Sequence, residues 1–211
     1  MKIHTMEQGS EAWLQARLGL PTASEFDKIV SNTGKLSTQS RKYAIRLVGE
    51  IILRRPLGAD LSNNYDVQRG NELEPVAADL YAFETGRVLQ KVGFVTLDSG
   101  IAGASPDRLV GDDGLLEIKC PKVETHIEYE FDGFGHKYNT QTQGQMMVCE
   151  REWTDKYSYC EEMPSYVERV FRDEPFIKNL AQALKDFNDM KLDLLEQARQ
   201  RGMMQQAGVA A

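Results

Sequence analysis

The chain has 211 residues, of which 41% are hydrophobic and 27% are charged, and its formal net charge is −7. This length accommodates one compact domain with a full hydrophobic core, so we predict a single domain over residues 1–211 whose tail, from about residue 202, is flexible. No apolar stretch approaches bilayer length, and the three cysteines lack the spacing of a disulfide framework or a zinc site, which together favour the cytoplasm.

The first 60 residues are more basic than the rest of the chain. They contain 9 Lys and Arg residues against 6 Asp and Glu residues, although the whole chain is acidic. Overall acidity argues against a protein that coats nucleic acid, because phosphate contacts draw on clustered cations. The uneven distribution is nevertheless compatible with a basic DNA-facing surface on an acidic body.

Three helices and two loops are predicted in this first part. Ser10 can cap a helix that Gly19 ends. The hydroxyl residues at 22–24 precede apolar residues at helical spacing, so we place them at or near the N-terminus of a second helix. The polar stretches 31–40 and 56–64 are typical of surface loops. The apolar face of the third helix consists of Tyr43, Leu47, Ile51 and Ile52.

A fourth helix precedes the centre of the chain. Pro75 suits its first turn, Glu74 therefore lies at its start, and Gly86 ends it. Beyond Gly86 the apolar residues alternate, which predicts strands at 88–95 and 101–104. The apolar face of this helix consists of Leu73, Val76, Ala77 and Leu80.

A hairpin is the strongest signal in the middle of the sequence. The turn-forming residues 111–114 separate apolar strands at 109–110 and 115–120. The remaining predicted elements are a helix at 139–148, strands at 153–160 and 166–171, and a long helix that begins at 173. The apolar stripe of that last helix is best explained as core, with a subunit contact as the alternative.

Two charged residues in the second hairpin strand indicate a functional site. Alternation sends Glu117 and Lys119 to one face of the strand and their apolar neighbours to the other. A carboxylate and an ammonium group in a buried strand are costly unless each has a partner. A divalent cation bound by Glu117 and a second carboxylate would give the buried Glu117 charge such a partner.

Asp107 is the expected second carboxylate. Closing the hairpin with a four-residue turn would place Asp107 opposite Ile118, on the wrong face. We therefore predict a five-residue loop or a bulge that pairs Asp107 with Lys119. Two hard oxygen ligands suit Mg²⁺, with Mn²⁺ as a substitute, whereas zinc prefers His and Cys. Beside such an ion, Lys119 can orient a water molecule and stabilise charge on phosphorus.

These residues carry a family resemblance. The Pro106-Asp107 pair followed by Glu117-Ile118-Lys119 resembles the core of PD-(D/E)xK nucleases, in particular the lambda exonuclease (YqaJ-like) branch of phage recombination nucleases. Further blocks resemble the same branch in the same order, which a lone Glu-x-Lys would not. These blocks are Trp13-x-x-x-Arg17-x-Gly19, Thr22-Ala23-Ser24, Gly70-x-x-x-Glu74 with Ala77, and Gln141-x-Gln143.

The resemblance implies a fold and a set of roles. The fold is α/β (α+β), with a restriction-endonuclease-like core, a central mixed sheet flanked by helices, a helical N-terminal region and a long C-terminal helix. Lys119 would serve the attacking water, Gln143 would hold Lys119 or that water, and Arg17 with Ser24 would grip a 5′-terminal phosphate. The implied metal ligands are Asp107, Glu117, the backbone carbonyl of Ile118, and Glu74.

Other residues are candidates for DNA contacts. They are Thr22, Trp13, Gln141, Lys35 and Arg41. Several have a structural alternative, since Trp13 also suits the core, Ser24 could be only a helix cap, and Arg17 could form a surface ion pair. Arg108 departs from the family pattern, which often has a small residue after the aspartate. The three histidines share no ligand spacing, so we expect them to be structural or exposed.

The family's activity supplies the leading functional hypothesis. Its members digest one strand of duplex DNA from the 5′ end, form ring-shaped trimers and work beside a single-strand annealing protein, in the cytoplasm of a bacterial host. One alternative is an endonuclease or repair nuclease with the same core. Another is a DNA-end-binding module without catalysis, which the presence of all four candidate catalytic charges, from Glu74 to Lys119, disfavours.

Overall fold

The computed structural model describes residues 1–58 and 64–204, which form two β-sheets surrounded by helices. In chain order the elements are β1 (Lys2–His4), α1 (Glu11–Arg17), the 3₁₀ helix η1 (Ala23–Lys28), α2 (Ser40–Leu53), α3 (Tyr65–Thr85), β2 (Leu89–Gln90), β3 (Phe94–Thr96), β4 (Gly103–Ala104), β5 (Arg108–Val110), β6 (Gly114–Lys119), α4 (Val123–Asp132), α5 (Asn139–Cys149), β7 (Trp153–Ser158), β8 (Tyr166–Phe171) and α6 (Glu174–Gln200).

The larger sheet has five strands in the order β2-β5-β6-β7-β8. Strand β6 pairs antiparallel with β5 and parallel with β7, so the sheet is mixed. A parallel pair requires a long crossover connection, and α4 and α5 lie in the one between β6 and β7. The smaller sheet contains β1, β3 and β4. The predicted α+β fold with a central mixed sheet, a helical N-terminal region and a long C-terminal helix is confirmed.

Strand β6 separates two apolar clusters because its side chains alternate between the faces of the sheet. Leu115 belongs to the cluster that includes Met146 of α5 and Leu180 of α6. Leu116 belongs to the cluster that includes Ala77 and Tyr81 of α3. The apolar stripe of α6 therefore lies in the core, as predicted.

The N-terminal helices begin where their caps are predicted. The amide of Trp13 donates to Oγ of Ser10 over 3.3 Å, at the start of α1. Thr22 is the N-cap of the next helix, but this helix is 3₁₀ rather than α. Its hydrogen bonds span three residues, as from the amide of Glu25 to the carbonyl of Thr22. The hydroxyl residues at 22–24 are thus at a helix start, as expected.

Helix α3 begins ten residues before Pro75, which corrects the predicted start. Asn64 caps it by accepting a hydrogen bond from the amide of Val67. Pro75 and Glu74 consequently lie in the middle of the helix, and Val76, expected on the buried face, is 50% exposed. Tertiary packing around the other side of the helix outweighs the preference of proline for a first turn. The predicted end at Gly86 is confirmed by its left-handed φ of 66°.

The hairpin of β5 and β6 forms as predicted, but with a different register. Val110 pairs with Gly114, so three residues, rather than four or five, connect the strands. Gly111 permits this tight turn because its φ is +54°, a region that L side chains rarely adopt. The predicted pairing of Asp107 with Lys119 is therefore wrong. Arg108 pairs with Leu116, and continuing this register by one residue places Asp107 opposite Glu117.

Two elements are absent from the sequence prediction, namely the short strand β1 and helix α4. Helix α4 is fixed by tertiary contacts: the ring of His126 is within hydrogen-bond distance of Oγ of Ser158, at 2.7 Å, and of the carbonyl of Pro164, at 2.9 Å. The buried His126 is thus structural, as expected.

Parts of two predicted regions lie outside the described residues. They are positions 59–63 of the second loop and positions 205–211 of the C-terminal tail. Among the helices that the structure describes, none has the length and apolarity needed to cross a bilayer.

Candidate active site

The hairpin brings the two predicted acidic residues together at its open end. Asp107 immediately precedes β5, and Glu117 lies near the end of β6 on the same face. Oδ2 of Asp107 accepts a hydrogen bond of 2.6 Å from the amide of Ile118. The backbone of β6 therefore fixes the Asp107 carboxylate beside Glu117.

Three side chains donate to the Glu117 carboxylate, which is almost fully buried. Oε1 accepts from Nζ of Lys119 at 2.5 Å and from Nε2 of Gln141 at 2.6 Å. Oε2 accepts from Nε2 of Gln145 at 2.7 Å. Lys119 thus lies beside Glu117, as alternation along the strand predicts, whereas Gln141, which the sequence analysis expects to contact DNA, donates to the Glu117 carboxylate. Gln145 was not predicted, although its spacing of one helical turn from Gln141 could have indicated it.

Burial and charge act strongly on this cluster. Burial raises the pKa of Asp107 well above its ordinary value, and the neighbouring carboxylate of Glu117 raises it further. Burial lowers the pKa of Lys119, but Glu117 and Asp107 outweigh this effect and raise it, so Lys119 is a cation. When both carboxyl groups are ionised, a single ammonium group leaves the cluster one positive charge short.

Tyr138 completes the surroundings of Lys119. Nζ of Lys119 lies 4.6 Å from the centroid of the Tyr138 ring, within the range of a cation–π contact. Tyr138 has a left-handed φ of 66°, which is uncommon for a residue with a side chain. Tyr138 is the N-cap of α5.

Glu74 is near enough to the Asp107–Glu117 pair for its charge to act on Asp107, but its own carboxylate is bound by Arg108. Oε1 of Glu74 accepts a hydrogen bond of 2.7 Å from Nη1 of Arg108, which is itself only 7% exposed. Within the described residues, no group of three or more His, Cys, Asp or Glu side chains is placed to hold a metal ion. The structure therefore gives Glu74 a cationic partner that the sequence did not suggest.

The structure contradicts the role expected for Gln143. Its Nε2 donates to the carbonyl of Phe171 at 2.9 Å, and its Oε1 accepts from the amide of Asp173 at 2.9 Å. Gln143 thus links α5 to the end of β8 and the start of α6, away from Lys119. The reason is helical geometry, because residues two apart on a helix point in different directions, whereas residues four apart share a face.

A cleft of about 980 Å³ lies between α1, η1, α2 and α3 and contains several predicted DNA contacts. Nη1 of Arg17 donates to Oγ of Ser105 at 3.1 Å, and Nη2 donates to Oγ1 of Thr22 at 3.3 Å. The predicted residues that line this cleft are Trp13, Arg17, Thr22, Ser24 and Glu74.

The cleft residues form an ordered polar wall. The hydroxyls of Thr22 and Ser24 are 3.3 Å apart, and the Arg17 guanidinium stacks 4.0 Å from the Trp13 ring centroid. Nε1 of Trp13 is within 3.0 Å of both the carbonyl of Gly93 and Oγ of Ser105. Trp13 is therefore part of the wall that supports Arg17, which was the structural alternative for this residue.

A set of ion pairs that the sequence analysis missed borders Ser24. The carboxylate of Glu25 binds both Lys28 and Arg46, and all three residues line the cleft. Lys35 and Arg41 are exposed and do not belong to the described lining of the cleft. The structure thus brings Arg17, Thr22 and Ser24 together and leaves Lys35 and Arg41 on the outer surface.

The donor set at the hairpin fits a hard divalent cation. It offers carboxylate oxygens from Asp107 and Glu117, and neither histidine nor cysteine belongs to the pair. The shortage of positive charge around the half-buried Asp107 carboxylate is the condition that a bound cation relieves. With Lys119 alongside, such an arrangement is suited to phosphodiester hydrolysis.

Comparisons with known proteins show the family to which the chain is related. The family model described as a YqaJ-like viral recombinase domain matches residues 12–152, which include all the site residues named above except Phe171 and Asp173. A search of functionally curated proteins finds no match.

The chain is also similar to solved structures of exonucleases. An alkaline exonuclease, LHK-Exo from Laribacter hongkongensis, is 32% identical over 92% of this chain and 98% of its own, with a TM-score of 0.82. Its complex with dAMP superimposes with a TM-score of 0.80. A phage-related exonuclease from Haemophilus somnus 129PT covers 84% of this chain and 96% of its own with a TM-score of 0.68, but at 16% identity it shows the fold alone.

Proposed function

The chain belongs to the family of YqaJ-like viral recombinase domains, and from this premise we propose that it is a Mg²⁺-dependent exonuclease that digests one strand of double-stranded DNA from 5′-phosphorylated ends. The observation that carries the proposal is the placement of Asp107 and Glu117 side by side, with Lys119 bound to Glu117. The structural similarity to an alkaline exonuclease over nearly the whole chain supports the exonuclease class.

Asp107, Glu117 and the backbone carbonyl of Ile118 would hold the metal ion, with Mn²⁺ as a substitute. When bound, Mg²⁺ supplies Lewis-acid activation of water and of a phosphoryl oxygen. The hydrogen bond from the Ile118 amide keeps Asp107 in place for this role, and Gln141 does the same for Glu117. Glu74, which the sequence predicts as a further ligand, would have to exchange its hydrogen bond with Arg108 for the metal ion.

Lys119 would act on the reacting phosphate. Its ammonium group stays protonated beside two carboxylates and under the Tyr138 ring. A fixed positive charge at this place can orient the attacking water and stabilise the charge that develops on the phosphorane-like transition state. Gln141, which shares Oε1 of Glu117 with Lys119, holds the acceptor to which Lys119 is anchored.

Arg17, Thr22 and Ser24 would bind the 5′-terminal phosphate. The guanidinium and the two hydroxyls converge in the cleft, and a guanidinium offers paired donors to phosphate oxygens. Stacking on Trp13 holds the guanidinium in place before DNA arrives. A terminal phosphate held here would explain a start at the 5′ end and digestion in the 5′-to-3′ direction.

Digestion of this polarity leaves 3′ single-stranded overhangs, which are substrates for recombination by strand annealing. We propose a homotrimer ring around the duplex, a single-strand annealing protein as partner, and action in the cytoplasm of a bacterial host that carries the phage or prophage. These assignments rest on family membership.

End-labelled DNA tests the proposed reaction. Linear duplex with 5′ phosphates should be digested with release of mononucleotides from the 5′ end, linear duplex with 5′ hydroxyls more slowly, and covalently closed circular duplex not at all. Efficient cutting of the closed circle would instead identify an endonuclease. Binding of linear ends without release of nucleotides, at any Mg²⁺ or Mn²⁺ concentration, would identify a non-catalytic end-binding module.

A further inference from the structure

Gln145 is a buried polar residue beside the candidate metal site. It lies one helical turn after Gln141 on α5 and is only 2% exposed. Its neighbours Met146 and Val148 on the same helix are fully buried apolar residues. The helix therefore crosses the core at this point, and Gln145 places an amide group in a position where an apolar side chain would ordinarily pack.

The amide of Gln145 is only half satisfied by hydrogen bonds. Nε2 donates to Oε2 of Glu117 at 2.7 Å. Oε1 is buried and has no hydrogen-bond partner among the described residues. Because a buried carbonyl oxygen without a partner is unfavourable, packing and stability alone give no reason for an amide here. The contact with Glu117 is what distinguishes glutamine from leucine or methionine at this position.

Glu117 is held from both sides. Lys119 and Gln141 donate to Oε1, whereas Gln145 donates to Oε2. A carboxylate restrained at one oxygen can still swing about its last torsion, but one restrained at both cannot. The second restraint therefore comes from Gln145 alone among the described donors, and it fixes the plane in which Oε2 of Glu117 presents its remaining lone pair.

We propose that Gln145 is a positioning residue for the metal ion, acting through Glu117, and that it sets the affinity for the divalent cation. The inference rests on the proposed function, because it takes Glu117 as a metal ligand. Hydrogen-bonding partners of metal ligands commonly change metal affinity or activity by about 10- to 100-fold when they are removed. Gln145 makes no contact with substrate in this role, so it is not a catalytic residue.

The test measures Mn²⁺ binding to the full-length protein without DNA, from the electron paramagnetic resonance signal of free Mn²⁺. In Gln145→Met, which keeps the volume but loses the donor, the Kd for Mn²⁺ should rise about 10-fold or more. Gln145→Asn keeps an amide that is too short to reach Glu117 and should show the same rise. The Gln145→Asn variant also tests the inference if Gln145→Met does not fold. In steady-state assays, raising the metal concentration should restore kcat, and KM for DNA should not change.

Gln143→Met is the matched control. It removes a buried amide from the same helix, but one that binds Phe171 and Asp173 rather than Glu117. This variant should lower Tm and leave the Kd for Mn²⁺ unchanged. If the Gln145 variants lower Tm while their Kd for Mn²⁺ equals that of the wild type, Gln145 has only a packing role and the inference is wrong.

A further pair of measurements separates this inference from the proposed function. The wild type should bind Mn²⁺, and Asp107→Asn should lose that binding. If the wild type itself binds no Mn²⁺, the proposed metal site fails, and the inference fails with it. If the wild type binds and Asp107→Asn does not, unchanged affinity in the Gln145 variants rejects the inference alone.

Discussion

Nη1 of Arg108 lies 2.7 Å from Oε1 of Glu74, and this ion pair joins strand β5 to the middle of helix α3 at the border of the cleft. Arg108 also donates to the carbonyl of Asp107, over 2.5 Å. A single guanidinium thus connects the backbone of one candidate metal ligand with the side chain of another acidic residue. Arg108, which departs from the family pattern, therefore contacts two residues of the candidate site, Glu74 and Asp107.

The Arg108–Glu74 pair predicts a measurable coupling in stability. Arg108→Met and Glu74→Gln should each lower the free energy of unfolding, because each leaves a partly buried charge without its partner. A double-mutant cycle should give a coupling energy of about 0.5–3 kcal/mol, the range for residues in direct contact. Chemical denaturation of the four proteins measures it. Additive effects of the two substitutions would show that the pair contributes nothing.

Lys119→Ala should remove turnover while leaving DNA binding nearly intact. A group that acts mainly on the transition state affects rate more than ground-state binding, so kcat should fall by roughly 10²- to 10³-fold. Single-turnover kinetics and equilibrium DNA binding measure the two quantities. Lys122→Ala, which removes a largely exposed lysine just beyond the same strand, is the control and should keep the wild-type rate. Equal rates in both variants would remove Lys119 from the mechanism.

Arg17→Ala should narrow the preference for phosphorylated ends. The Arg17 guanidinium offers paired donors to phosphate oxygens beside the hydroxyls of Thr22 and Ser24, so digestion of 5′-phosphorylated duplex should slow more than digestion of 5′-hydroxyl duplex. The ratio of the two initial rates is the measurement. Arg199→Ala, which removes an exposed arginine of α6, should leave that ratio at the wild-type value. An unaltered ratio in Arg17→Ala would make Arg17 a structural residue.

Asp107→Asn should change how stability depends on pH in the metal-free protein. Burial and the Glu117 charge raise the folded-state pKa of Asp107, so the folded state resists ionisation of this group. Its contribution to stability is therefore present below the ordinary carboxyl pKa and is lost as pH rises through the raised value. In EDTA, over a series from about pH 4 to about pH 8, the wild type should lose stability relative to Asp107→Asn as pH rises above the ordinary carboxyl pKa.

Metal provides the control for this pH effect. Added Mg²⁺ should restore the stability of the wild type at the upper end of that range, because it neutralises the paired carboxylates, and should have little effect on Asp107→Asn. Denaturant midpoints with and without Mg²⁺ measure both effects. Parallel pH profiles of the two proteins in EDTA would show that Asp107 ionises freely and does not face Glu117 closely.

The sequence by itself determined the features that depend on neighbouring residues. Alternation along one strand placed Glu117 and Lys119 on the same face, and the cap at Ser10 and the glycine at 86 set the ends of α1 and α3. The motif order identified the family, which the match over residues 12–152 confirms. These features can be predicted from sequence because strand alternation and helix ends depend only on residues that are close together in the chain.

Only the tertiary structure decided which side chains meet. The three-residue turn at Gly111, not the longer loop predicted, set Asp107 opposite Glu117. The rotation of α5 gave the contact with Glu117 to Gln141 and Gln145 and turned Gln143 toward β8. Sequence spacing leaves such choices open, because a one-residue slip in register or a 100° step around a helix changes which side chains are buried together. The packing of the whole core determines which of these arrangements has the lower free energy.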